Sequence, residues 1–164
     1  MCFSLESYFF LGPWNQIKKS ALIIKNEQYK IRDNCLRSSI RNAKTIKQTF
    51  DEIKFETKLH KNLVREDDFM RNIKEFANDI FNNDIVVFYY FGHAQQFNGK
   101  NYLIPTWDNQ IHDEIDIETN GVNVDRLLDR LTENAPAASY VFIFDCCRLF
   151  NIDSGAIVTR ELDI

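Results

Sequence analysis

The sequence predicts an α/β fold: a mostly parallel sheet with helices on both faces. Three observations predict it. Residues 84–91 (DIVVFYYF) and 139–145 (SYVFIFD) are nearly continuous apolar runs, as strands covered on both faces require. The segments between the apolar runs carry apolar residues at spacings of three and four, the mark of amphipathic helices. The two kinds of segment alternate along the chain, which favours crossover connections and parallel pairing.

The elements follow in order. Residues 20–25 (SALIIK) form a short apolar run, read as a buried strand. Asp33 and Asn34 can cap a following helix, whose face carries Leu36, Ile40, Ala43, Ile46, Phe50 and Ile53. Residues 55–59 (FETKL) alternate as a second strand would. Acidic residues 66–68 sit where a first helical turn favours negative charge, and Phe69, Ile73, Phe76 and Ile80 supply the apolar stripe of that helix. After the strand at 84–91, residues 100–104 (KNYLI) predict a short strand stopped by Pro105. An acidic loop runs on to Gly121. Asn123 can cap a helix bearing Val124, Leu127, Leu128 and Leu131, and the strand at 139–145 runs into Cys146-Cys147-Arg148. The sequence shows no repeat and no low-complexity stretch.

Bulk properties narrow the classes. A chain of 164 residues holds one domain with a core. With 45% hydrophobic and 27% charged residues it reads as globular. A net charge of −4 lacks the basic surplus that phosphate contacts need, so nucleic acid is not expected as a partner. The N-terminal segment 1–19 is apolar through Phe3, Leu5, Tyr8, Phe9, Phe10, Leu11 and Trp14. Yet no window approaches the ~20 apolar residues of a membrane span, and no membrane partner is expected. The segment reads as packing onto the domain or onto a missing partner. The four cysteines, at 2, 35, 146 and 147, have no CxxC spacing. No metal site is therefore expected from them, and the low cysteine count suggests a reducing, cytoplasmic setting. The five glycines form no phosphate-cradling loop.

In open α/β sheets function gathers beyond the carboxyl ends of the strands. One strand end here carries Gly92-His93-Ala94 and another carries Asp145-Cys146-Cys147-Arg148. A single histidine after a buried strand is usually structural, and a single cysteine near a core is usually a small hydrophobe. On neighbouring strands the two could meet, and the imidazole could take the thiol proton.

The strings YYFGHAQQFNGKNYLIP (residues 89–105) and VFIFDCCR (141–148) resemble the two signature segments of the caspase-like cysteine peptidases, the family of caspases, metacaspases and paracaspases. His93 and Cys147 lie 54 positions apart, close to the roughly 50 of caspases. ALIIKNEQY (21–29) is similar to the family's opening strand. The resemblance covers residues 20–150 and implies a caspase-like three-layer sandwich. It implies a cysteine endopeptidase with His93 and Cys147 as dyad, Ala94 and Cys147 N–H groups for the oxyanion, and Gly92 and Arg148 flanking them. It also implies a pocket acid at Asp145, as in metacaspases and paracaspases, and hence cleavage of polypeptides after Arg or Lys.

Several positions depart from the family pattern. Asn42 stands where a second pocket aspartate is usual, Ala94 replaces a glycine, and Lys25 replaces another. Ala94 would be strained if its backbone needs positive φ. The residues after Cys147, including the tail 151–164, are too few for the family's small-subunit region. The expected domain therefore lacks its C-terminal small-subunit part, and a small-subunit region or a homodimer partner could complete it. The alternative reading is a catalytically silent caspase-like module that binds or regulates a full-length relative. No organic cofactor is expected. Calcium dependence, known in some metacaspases, is conceivable through Asp108, Asp113, Glu114, Asp116 and Glu118. The pattern is not that of an EF-hand, and a solvated acidic loop is the simpler expectation. His60 and His112 read as surface residues, and Cys2 and Cys35 as packing residues.

Overall fold

The two strongest apolar runs of the chain become adjacent parallel strands. The computed structural model describes residues 17–36 and 43–147. Within them the strands are β1 (Lys19–Lys25), β2 (Glu56–Lys61), β3 (Ile85–Phe97), β4 (Lys100–Leu103), β5 (Val122–Asn123) and β6 (Ser139–Cys147). The helices are α1 (Ala43–Glu52), α2 (Glu66–Ala77), α3 (Glu114–Asn120) and α4 (Val124–Thr132). The six strands form one mixed sheet in the order β2-β1-β3-β4-β5, with β6 pairing β3. β1 and β6 lie parallel on opposite sides of residues 85–91, and β2 lies parallel beyond β1. Among the described residues no helix is long and apolar enough to cross a membrane.

Alternation along the strands sorts side chains to two faces. Leu22 and Ile24 of β1 join Val86, Phe88 and Tyr90 of β3 in one core, closed by Phe69, Ile73 and Phe76 of α2 and by Leu127 and Leu131 of α4. The helical stripes read from the sequence are thus the surfaces that cover the sheet. On the opposite face α1 packs against β1 and β2. Ala21 and Ile23 are fully buried there, whereas Val141 and Ile143 of β6 remain exposed.

Four details differ from the sequence reading. β3 does not stop at residue 91 but runs to Phe97, turns through Asn98 and Gly99, and pairs antiparallel with β4. Both turn residues have positive φ, 48° and 74°, the two-residue geometry that Asn-Gly favours because its twist matches the strands. Residues 32–34 make a 3-10 turn, and the described part of the next helix begins at Ala43. The Asn34 side chain is buried, and its amide donates to the Asp108 carboxylate. The acidic loop contains α3, capped by the Asp113 carboxylate, which accepts from the N–H groups of Ile115 and Asp116. The other expected caps hold. Asn123 accepts from the Arg126 N–H at 3.0 Å, and residues 66–68 open α2.

Candidate active site

Because β1, β3 and β6 are parallel, their carboxyl ends share one rim. β3 and β6 are in register from Ile85 with Ser139 through to His93 with Cys147. The last register pair therefore sets the two candidate residues side by side across one strand spacing, about 4.8 Å between backbones. Cys147 is the final residue of β6. Cys146 is partly buried and packs against the core under α2 and α4.

His93 is 3% exposed. Its ring lies 4.6 Å from the Tyr29 ring, tilted by 52°. Its Nε2 is 2.7 Å from the carbonyl oxygen of Asn34. A carbonyl only accepts, so in the neutral ring Nε2 carries the proton and Nδ1 keeps the basic lone pair. The backbone is held as tightly. The His93 N–H donates to the Tyr29 hydroxyl at 2.8 Å, and the Tyr90 hydroxyl donates to the His93 carbonyl at 3.0 Å. Burial raises the pKa of both phenols well above the usual tyrosine value, so both remain neutral hydrogen-bonding groups.

Gly92 has a steric reason to be glycine. A Cβ there would meet the Tyr90 hydroxyl at 2.3 Å and the Tyr29 hydroxyl at 2.9 Å. Ala94, by contrast, is not among the described residues with positive φ, so the anticipated strain is absent. The His93 carbonyl accepts from Ile104 N–H of the chain running out of β4. Across the same trans peptide, the Ala94 N–H points the other way, toward β6.

Asp145 pairs in register with Phe91, and its carboxylate accepts from the Tyr89 hydroxyl at 2.8 Å. Beside the rim an open groove of about 460 Å3 is lined by Gln28, Tyr29, Lys30, Arg32, Cys35 and Trp107, among others.

The family model of the caspase domain matches residues 18–163. The chain belongs to the caspase-domain family. No curated protein matches it significantly. The family is one of cysteine peptidases, and the mixed α/β sheet with its rim of parallel strand ends fits that membership.

Two residues of the expected site in this caspase domain, Asn42 and Arg148, lie outside the described residues, as do Cys2 and most of the N-terminal segment. Lys25, in place of the family glycine, is buried. It is 4% exposed, paired with Glu27 at 2.7 Å and set 5.5 Å from the Phe91 ring centre. His60 is half-buried rather than on the surface, and burial lowers its pKa. Cys35 is exposed, not packed, with its thiol 3.2 Å from the Tyr29 carbonyl.

Asp108 is fully buried in hydrogen bonds, Asp113 caps α3, and Asp116 accepts from the His112 N–H. Among the described residues no group of three or more His, Cys, Asp or Glu converges as metal ligands would. Tyr29, Asn34 and Asp108 were not legible as parts of the site. Their only sequence signal is position: Tyr29 and Asn34 follow β1, a strand of the rim, and Asp108 follows β4, which pairs with the end of β3.

Proposed function

We propose that this chain is a cysteine endopeptidase that cleaves polypeptides after arginine or lysine. Cys147 is the nucleophile, and His93 is its general base and acid. The single observation that carries this reading is the register pairing of His93 with Cys147, made specific by the Asn34 carbonyl that reserves Nδ1 as the base. Nδ1 takes the thiol proton and the thiolate attacks the scissile carbonyl carbon. The tetrahedral oxyanion draws on the N–H groups of Ala94 and Cys147. The imidazolium then protonates the leaving amine, and His93 deprotonates the water that hydrolyses the thioester. No organic cofactor enters these steps. Asp145, oriented by the Tyr89 hydroxyl, supplies the carboxylate for a basic substrate side chain. Asn42 is proposed as a second, uncharged wall of that pocket, while Gly92 and Arg148 support the dyad. The reaction is assigned to the cytoplasm, where a thiolate nucleophile stays reduced.

Two observations favour a second reading, a silent module that binds or regulates a full-length relative. His93 is almost fully covered, and Val141, Ile143 and Phe144 of β6 are exposed apolar residues. A small-subunit region or a second copy of the chain would be the partner of that strand.

Fluorogenic peptides ending in Arg, Lys or Asp, with and without calcium, separate the two. Turnover of the Arg and Lys peptides, lost by at least ~10⁴-fold in Cys147→Ala and kept in Cys146→Ala, supports the peptidase. Asp145→Ala should then erase the preference for basic residues. Silence of a folded sample under every condition supports the module.

A further inference from the structure

Asp108 is an acidic residue with 0% exposure. A buried carboxylate is costly unless its oxygens are fully engaged. Among the described residues no cation pairs with it. Instead Oδ1 accepts from the Ile31 N–H at 2.9 Å and Oδ2 accepts from the Asn34 side-chain amide at 2.8 Å. Both donors belong to one short stretch, the 3-10 turn at residues 32–34 and the residue before it. That turn has a second role. The carbonyl of the same Asn34 faces Nε2 of His93 at 2.7 Å, and Asn34 is itself 3% exposed. One side of Asn34 is thus anchored to Asp108 and the other reads the imidazole.

We propose that Asp108 is a positioning residue for His93, acting through Asn34. By clamping the turn at two donors, it fixes where the Asn34 carbonyl points. That carbonyl then fixes the tautomer and the ring plane of His93. The segment behind it supports the clamp: the Lys30 N–H donates to the Thr106 carbonyl at 2.8 Å, and the Asn26 side chain bridges the Ile104 carbonyl and the Leu63 N–H. A turn held only by its own 3-10 bonds would sample several carbonyl directions, since such turns have poor hydrogen-bond geometry. A ring that alternates between tautomers serves as base for only part of the time. The functional consequence rests on the reading of His93 as the base of a peptidase. The structural claim about the tautomer does not.

The test uses the whole chain and two readouts. The first is the pair of ring-nitrogen shifts of His93, from long-range proton–nitrogen correlation spectra assigned with His93→Gln. The second is kcat and KM for an arginyl fluorogenic peptide. The wild type should show proton occupancy on Nε2. Asp108→Ala and Asn34→Ala should each give averaged nitrogen shifts, and kcat lower by about 10- to 100-fold, the usual range for groups that orient a reacting ligand. KM should stay within about twofold. The double variant should lose no more than the worse single one. The exchange Asn34→Asp with Asp108→Asn reverses the donor between the two side chains and keeps an acceptor for Ile31. It should restore the wild-type nitrogen pattern and most of kcat. Unchanged His93 shifts in a folded Asp108→Ala overturn the proposal. Should that variant not fold, Asn34→Ala and the exchange decide: unchanged shifts in Asn34→Ala, or an exchange no better than Asp108→Asn alone, overturn it equally. A wild type that cleaves nothing sinks the peptidase reading, while the nitrogen shifts still decide the clamp.

Discussion

Phe88 and His93 lie five residues apart on one strand, and both are almost fully buried. Phe88 faces the core under α2 and α4, 5.9 Å from the Phe144 ring and 6.5 Å from that of Phe142. His93 faces the rim, where every neighbour named above holds it by direction: the Asn34 carbonyl, the Tyr29 hydroxyl and ring, the Tyr90 hydroxyl. The core is stabilised by area, which tolerates a change of shape if volume is kept. The rim is stabilised by buried polar bonds, in which each partner must stay where it is or leave another group unsatisfied. One strand thus passes from non-directional burial to a directional network within two turns of its pleat.

Substitutions can break or sharpen this contrast. The largest effect should come from the core. Phe88→Ala should cost about 3–5 kcal/mol in urea unfolding. Its surviving folded fraction should keep the His93 nitrogen shifts, because the rim is held independently. A shift in those signals would show that the two regions are one unit.

Gly92→Ala comes next, at about 1–3 kcal/mol of overpacking. Here the added methyl strikes the Tyr90 and Tyr29 hydroxyls, so His93 should move together with stability. Loss of stability with an unchanged His93 would mean that the tyrosines do not set its position.

Tyr90→Phe should cost only about 1 kcal/mol in the same unfolding assay. The His93 carbonyl keeps its bond from Ile104, and the Ile104 carbonyl keeps donors from Asn26 and Tyr29. A cost several times larger would show the network to be cooperative.

The smallest effect concerns pH. Burial lowers the His60 pKa below 6.5, so the unfolded chain binds that proton more readily than the folded one. Stability should therefore fall as pH drops through and below about 6.5. His60→Gln should flatten that part of the curve when thermal unfolding is followed against pH.

The rim was only half legible in the sequence. His93 and Cys147 were readable because each ends an apolar run, and local strings mark both. Asp145 was readable for the same reason, but its Tyr89 partner was not. The hairpin between β3 and β4 carried a local signal in Asn98-Gly99. Asp108 carried the wrong one: among other acidic residues of a loop, it read as solvated, and it is fully buried.

By itself the sequence determined β1 to β4 and β6, the helices α1, α2 and α4 (α3 and β5 escaped it), which faces of α2 and α4 turn inward, and which two strand ends carry reactive groups. These depend on periodicity over a few residues and on capping chemistry, which neighbours in the chain supply. Only the tertiary structure decided that residue 93 lies opposite residue 147, that the Asn34 carbonyl meets His93, and that Asp108 holds Asn34. Asn34 and His93 are 59 residues apart and Asn34 and Asp108 are 74. Such contacts arise when strands that are distant in sequence are brought to one edge, and no local pattern records which partner each polar group will find there.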